Sequence, residues 1–351
     1  MRLLFSSVLF VTVILVSSVL ASSNLRINNS GAIGGKWFDY VVVIMMENHN
    51  INNTYYNGKG MNPCYGNCTY YTSLADSGGL AEEYTIDGIN GPECSLACYI
   101  ATTSGYGNVA QGCNNGPLAS GCTLLQNSNI VDRIEKAGLS WQAYMDSYPI
   151  SSGCNAPNFQ GPYSPDHNPF IYYADIVNNT DRCSHLVKAN SIPASQSPCW
   201  PTAVQNDDLF LSDLNSVSKA SNYMWLTPNS IDDNHDCNDV SVGNAWLNHI
   251  IPQILGSTLF KNNRAALFIT FDEPGCTNLP PCPSSPNGEL YSVWVSTNSI
   301  TKVGFKSTNS YTHYNPLRTI EDNWRLPYLN ATTDGNAKNM CEFFSSSPPG
   351  C

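Results

Sequence analysis

Acidic, amide and imidazole side chains stand after apolar segments at three places in this chain, and a further histidine lies in Tyr-Thr-His-Tyr-Asn-Pro. These side chains are Glu47, Asn48, Asp233, His235, Asp272, Glu273 and His313. Carboxylate and amide oxygens suit a divalent metal ion, and imidazole binds metals or transfers protons. Gathered at one site, such groups could support metal-assisted hydrolysis. A structural alternative remains for Glu47 and Asn48, because both residue types also favour the start of a helix.

The apolar segments before these groups predict buried strands. Tyr40–Met46 is uninterrupted and rich in β-branched residues, which indicates a strand buried on both faces of a parallel sheet. The other predicted elements are strands Tyr223–Leu226, Ala265–Phe271 and Leu290–Val295, and helices Val242–Leu255 and Leu317–Trp324. This alternation predicts a three-layer α/β/α sandwich with a mostly parallel central sheet. Sites in such folds lie at the carboxyl ends of the strands.

The amino-terminal segment has the pattern of a cleaved signal peptide. A charged start, the apolar stretch Leu3–Leu20 and small flanking residues predict cleavage after Ala21. We therefore expect residues 1–21 to be a signal peptide and residues 22–351 to form a single domain. The mature chain contains no later apolar stretch of membrane-spanning length. The expected location is extracellular, or the lumen of the secretory or endolysosomal route.

The 14 cysteines predict disulfide bonds, because the secretory route is oxidising. Pairs close in sequence are Cys64 with Cys68, Cys276 with Cys282, and Cys341 with Cys351, although spacing alone does not fix the pairing. Glycosylation sequons predict N-linked glycans at Asn28, Asn52, Asn67, Asn178 and Asn330.

The charge balance argues against polyanionic partners. Against 27 acidic residues the chain has 16 Lys and Arg residues, for a formal charge of −11, and no basic cluster. Nucleic acid and anionic membrane surfaces are therefore excluded as expected partners.

Four phrases of this sequence resemble the phosphoesterase family that joins bacterial acid phosphatases with phosphatidylcholine-type phospholipases C. The phrases occupy residues 41–49, 271–273, 233–237 and 311–324. The resemblance implies the fold of the alkaline phosphatase superfamily. It also implies a divalent metal ion, of unknown identity, held by Glu47, Asn48, Ser95, Asp233, Asp272 and Glu273. His167, His235 and His313 are implied to hold phosphate, to protonate the leaving oxygen or to bind a second metal.

Ser95 is the expected nucleophile, because it occupies the place of the family's nucleophile ahead of Thr103-Ser104-Gly105. A serine hydroxyl coordinated to a metal needs no separate base. The sequence departs from the family at Cys98, where relatives have Asn three residues after the nucleophile. Thr102, Thr103 and Ser104 stay as alternative nucleophiles.

Two functions follow from the resemblance, and the departure at Cys98 raises a third. The first is a secreted metal-dependent hydrolase of phosphate esters, of acid phosphatase type, with a phosphoseryl intermediate. The second is a phospholipase C-like phosphodiesterase acting on a phospholipid substrate. The third is a non-catalytic, secreted metal-binding glycoprotein. Buried carboxylates without a compensating cation are costly, which favours a functional metal site.

Overall fold

The structure is a computed structural model. It describes residues 34–56, 67–89, 94–107, 113, 116–117, 122–156, 160–192, 199–200, 204–237, 240–275, 288–347 and 351. The predicted signal peptide, the sequon at Asn28 and the cysteines Cys64, Cys276 and Cys282 lie outside the described residues.

An eight-stranded sheet forms the centre of the described part of the chain. Its strands are β1 Tyr40–Met46, β2 Gly79–Thr85, β3 Trp141–Met145, β4 Leu186–Lys188, β5 Tyr223–Thr227, β6 Ala265–Phe271, β7 Ser292–Val295 and β8 Phe305–Thr312. Their order is β4-β3-β5-β1-β6-β7-β2-β8. Within this sheet β7 alone runs antiparallel to its neighbours, so the prediction of a mostly parallel sheet is confirmed.

β1 lies at the middle of the sheet, paired in parallel with β5 and β6. The side chains of its residues 41–46 are buried, as a continuous apolar sequence requires when both faces are covered. The predicted strands β1 and β6 are confirmed in full, and β5 extends one residue further. The predicted strand Leu290–Val295 is shorter in the structure, where β7 begins at Ser292. Leu290 instead forms an isolated bridge with Asn50.

Among the described helices, α2, α7, α8 and α9 pack together, and α3 packs against α10 and α5 against α6. All helices described are α1 Ile51–Thr54, α2 Thr69–Ser77, α3 Ser95–Ser104, α4 Ile130–Lys136, α5 Ala174–Val177, α6 Thr180–Ser184, α7 Asp208–Leu214, α8 Ser241–Leu255, α9 Thr258–Asn262 and α10 Tyr314–Trp324. The predicted helices in α8 and α10 and the predicted three-layer α/β sandwich are confirmed. None of the described helices is long and apolar enough to cross a bilayer.

Disulfide bonds cross-link the described loops. They join Cys94 with Cys98, Cys113 with Cys122, Cys154 with Cys183, Cys199 with Cys237, and Cys341 with Cys351. The predicted Cys341–Cys351 pair is therefore confirmed. Cys68 is disulfide-bonded as well.

Candidate active site and metal centre

Parallel pairing brings the carboxyl ends of β1 and β6 to the same edge of the sheet. Met46 pairs with Phe271, so the following residues, Glu47 and Asp272, lie beside each other. The N–H of Glu47 donates to the carbonyl of Asp233 at 2.9 Å, which ties the segment after β5 to the same place. The structure thus brings together three carboxylates that the sequence analysis singled out, all of them fully buried.

Asn48 turns the chain sharply after β1. Its φ is +58°, in the left-handed region that Asn tolerates better than most residues, and its N–H donates to Oδ1 of Asp272 at 3.0 Å. Gly275 passes close to this turn, since a Cβ at Gly275 would lie 1.9 Å from the carbonyl oxygen of Asn48. The tight turn therefore depends on Asn at one position and Gly at the other.

Ser95 begins α3 directly beside the end of β6. Oε2 of Glu273 accepts hydrogen bonds from the N–H of Ser95, at 3.3 Å, and from the N–H of Cys94. Amides at the start of a helix have no partner within the helix, so Glu273 acts here as the cap of α3. This contact holds the start of α3 against the segment that follows β6 and gives Glu273 a second task beside its predicted metal binding.

The alternative nucleophiles lie further along α3. The hydroxyls of Thr102, Thr103 and Ser104 donate to helix carbonyls four residues earlier, at 2.9, 2.8 and 2.9 Å. All three side chains are buried. Thr102 follows Ser95 by seven positions in the helix, about 10 Å along the axis. These hydroxyls belong to the packing of the helix.

Two predicted catalytic histidines adjoin the carboxylates. Nδ1 of His167 lies 3.0 Å from Oδ2 of Asp233, and Nε2 of His167 lies 3.5 Å from Oε1 of Glu47. The ring of His235 lies 5.1 Å from that of His167. One ligand atom each of Glu47, His167 and His235 fall within 4.8 Å of one another. This grouping could hold a metal ion. The sequence analysis named Glu47 as a metal ligand and His167 and His235 as possible ligands of a second metal, and the structure brings these three side chains together.

The site raises the pKa of its acids. Burial, together with the charges of Asp272 and Asp233, raises the pKa of Glu47 well above its usual value. Burial likewise raises the pKa of Asp233, and that of Asp272 to about 6. Buried like charges favour the protonated forms unless a cation compensates them. A cation bound among these acids would therefore favour their ionised forms.

The two histidines near the acids favour the protonated form. Burial alone would lower the pKa of His167, but its hydrogen bond to Asp233 and the charge of Asp233 raise that pKa above the usual value. His235 is partly exposed, and its contact with Asp236 raises its pKa to about 9. A protonated imidazole at the exposed side of the site can donate a proton.

His313 stands behind Asp272. Its Nε2 lies 2.6 Å from the carbonyl oxygen of Asp272, and its Nδ1 lies 3.0 Å from the hydroxyl of Tyr84. Burial lowers the pKa of His313 to about 4, so the ring is neutral. With both nitrogens engaged, His313 positions the backbone of Asp272 in this structure, and its predicted catalytic part stays a prediction.

Among the described residues, four buried atoms of this site have no hydrogen-bond partner. They are Oε2 of Glu47, Oδ1 of Asn48, Nε2 of His167 and Oδ2 of Asp272. Unsatisfied buried polar atoms are costly, and oxygen and imidazole atoms are ligands for divalent metals. The residues present therefore fit a divalent cation.

Tyr99 is a site residue that the sequence analysis missed. Its hydroxyl donates to Oε1 of Glu47 at 2.5 Å, and its ring stacks on His167. The spacing could have predicted it, because Tyr99 follows Ser95 by four residues and residues four apart share one face of a helix.

The fold is similar to solved structures of the alkaline phosphatase superfamily. A member of that superfamily from Vibrio parahaemolyticus aligns with a TM-score of 0.58 and 12% identity, over 89% of this chain and 74% of that one. A phosphonate monoester hydrolase from Silicibacter pomeroyi aligns with a TM-score of 0.52 and 10% identity, over 89% and 78% of the two chains. At such identities the likeness concerns the fold, and it confirms the predicted fold class.

The sequence matches the phosphoesterase family over residues 65–327, and the chain belongs to that family. The match begins after Glu47 and Asn48. A Kluyveromyces lactis protein named "Probable acid phosphatase" is 26% identical over 226 residues, 63% of this chain and 47% of that protein. An acid phosphatase of Aspergillus fumigatus is 26% identical over 208 residues, 58% and 40% of the two chains. The chain thus aligns with less than half the length of these curated relatives.

Proposed function

We propose that this chain is a secreted, metal-dependent hydrolase of phosphate monoesters that works through a phosphoseryl intermediate on Ser95. The observation that carries the proposal is the contact of Glu273 with the first amides of α3, which holds the N–H of Ser95 against the segment that follows β6, where Asp272 is buried. Membership of the phosphoesterase family and the acid phosphatases among the relatives support the class of reaction.

A divalent ion would be held at the carboxyl ends of β1 and β6. The proposed ligands are Glu47, Asn48, Ser95, Asp233, Asp272 and Glu273, with His167 and His235 within the same cluster. When bound, the ion would neutralise the buried carboxylates, lower the pKa of the Ser95 hydroxyl and stabilise charge on the phosphoryl group.

In the proposed reaction, Oγ of Ser95 attacks phosphorus in line with the ester oxygen. The new Ser–O–P bond forms as the bond to the alcohol breaks, and the hydroxyl proton of Ser95 passes to solvent. His235, protonated at acidic and neutral pH, gives its proton to the leaving oxygen. Water then adds to phosphorus as the bond between Oγ of Ser95 and phosphorus breaks, and phosphate leaves. Oγ of Ser95 takes a proton from the attacking water, and the imidazole of His235 regains its proton from solvent.

Secretion and glycosylation are parts of the proposal. The disulfide bonds agree with an oxidising compartment, as does the predicted signal peptide of residues 1–21 before a single domain. Asn52, Asn67 and Asn178 are exposed and suit N-linked glycans. Asn330 is half-buried and its side-chain amide donates to the carbonyl of Gly105, so we propose that a smaller fraction of chains is glycosylated at Asn330.

The test uses the purified, secreted chain with para-nitrophenyl phosphate, before and after a chelator and again after divalent metals are restored. Metal-dependent release of phosphate supports the proposal. A parallel assay with phosphatidylcholine tests the phospholipase C alternative. If metal-loaded protein hydrolyses neither substrate, the proposal of an enzyme is contradicted. The non-catalytic metal-binding glycoprotein then becomes the favoured function.

A further inference from the structure

A disulfide bond closes the first turn of α3 around Ser95. Cys94 and Cys98 are joined, with their Cα atoms 5.3 Å apart, and both are buried. Ser95, inside this small ring, has a φ of +26°, a backbone conformation that residues other than Gly rarely adopt. The bridge therefore encloses the one residue of α3 that has a positive φ.

The bridge also packs against the end of β6. Sγ of Cys94 lies 3.6 Å from the carbonyl oxygen of Asp272, and the N–H of Cys94 donates to Glu273. Cys98 packs among buried residues that include Ala101 and Tyr314. One half of the bridge thus touches the strand end with the proposed metal ligands, and the other half anchors it in the core.

Global stability does not explain a bridge of this size. A disulfide that closes a longer loop removes more entropy from the unfolded chain. Cys94 and Cys98 are separated by 4 residues, whereas Cys154 and Cys183 are separated by 29. The short bridge constrains little of the unfolded chain, so its effect is local to the helix start.

We infer, on the basis of the proposed function, that the Cys94–Cys98 bridge is a positioning element that holds the hydroxyl of Ser95 for attack on phosphorus. Without the bridge, the first turn can relax toward negative φ, and this relaxation moves Oγ of Ser95 relative to the ends of β1 and β6. Neither sulfur needs to touch the substrate. Misplacement of a reacting group by about 1 Å can lower the rate roughly a hundredfold.

The test compares Cys94→Ser/Cys98→Ser with the matched control Cys154→Ser/Cys183→Ser. For the first variant we expect kcat to fall by about 10- to 100-fold, with KM within about twofold, bound metal unchanged and a small drop in Tm. For the control we expect the larger drop in Tm and nearly normal kcat. A normal kcat in the first variant, or loss of its metal, would overturn the inference.

Reduction of the native enzyme provides a second measurement if the first variant does not fold. Graded dithiothreitol, followed by alkylation and peptide mapping, gives the fraction of molecules with the Cys94–Cys98 bridge open. We expect activity to fall with that fraction while tryptophan fluorescence stays native. Activity that is independent of the bridge, or lost only on unfolding, counts against the inference. An inactive wild-type enzyme would instead refute the proposed function itself.

Discussion

The hydroxyl of Tyr99 donates a 2.5 Å hydrogen bond to Oε1 of Glu47, and both side chains are fully buried. Tyr99 belongs to α3, whereas Glu47 follows β1, so this bond ties the helix with the proposed nucleophile to the strand end with the proposed metal ligands. The same ring stacks on His167 with the centroids 5.6 Å apart. Tyr99 therefore links the helix that begins with the proposed nucleophile to both Glu47 and His167.

Replacing Tyr99 with Phe is expected to weaken metal binding. The hydrogen bond from Tyr99 lowers the pKa of Glu47, so its loss raises that pKa further. Because a carboxylate must be ionised to bind metal, the pH at which metal binds should move upward, with affinity about tenfold lower at a fixed acidic pH. Calorimetric metal titration at several pH values measures this. Tyr173→Phe is the control, since it removes a buried hydroxyl beside Thr103 of the same helix, and an equal shift there would refute the argument.

Glu47→Ala and Asp272→Ala should each abolish hydrolysis and reduce bound metal. Each substitution removes a proposed anionic ligand beside atoms that have no other partner among the described residues, and we expect affinity to fall by about 100-fold or more. Elemental analysis of the purified variants gives metal per chain. Full occupancy with normal turnover in either variant would remove that residue from the site.

Ser95→Ala should keep the fold and the metal but lose roughly a thousandfold or more in kcat, as the loss of a covalent nucleophile generally does. Acid quenching with labelled substrate, followed by peptide mapping, should place the phosphoryl group on Ser95 in the wild-type enzyme. Label on Thr102, Thr103 or Ser104 would show a different nucleophile. An active but unlabelled enzyme would indicate direct attack by water.

Glu321→Gln should stabilise the protein at alkaline pH. Burial and the neighbouring Asp334 raise the pKa of Glu321 to about 9, from 4.5. Because the folded pKa is the higher one, the folded state holds the proton more tightly, and stability falls as pH rises from about 4.5 to about 9. The variant should therefore gain up to about 5 kcal/mol over the wild type at pH 8 and little at pH 4.5.

Urea unfolding at these two pH values measures the difference. Glu342→Gln is a control of opposite sign, because hydrogen bonds from Ser307, Tyr311 and Asn309 lower the pKa of Glu342 against the effect of its burial. That variant should lose stability above the usual carboxyl pKa and lose less in acid. A Glu321→Gln difference that does not change with pH would contradict the prediction.

The pattern of apolar residues could predict the central strands and the polar groups that follow them. β1 and β6 were predictable because a continuous β-branched run has one stable environment, a strand covered on both faces. β2, β4 and β8 were not, since they include polar or alternating residues whose strand conformation depends on partners distant in sequence. The disulfide bond between Cys94 and Cys98 likewise could not be predicted, because the spacing of cysteines does not determine their pairing.

The sequence alone determined which chemistry is available here: the acids, amide and imidazoles, their places after strands, and a serine ahead of Thr103-Ser104-Gly105. Only the tertiary structure decided how these groups divide their tasks. It gave Glu273 the cap of α3, set His313 behind Asp272 and joined His167 and His235 with Glu47. The physical reason is that hydrogen bonds and pKa values arise from neighbours in space, which the register of parallel strands and the packing of α3 bring together.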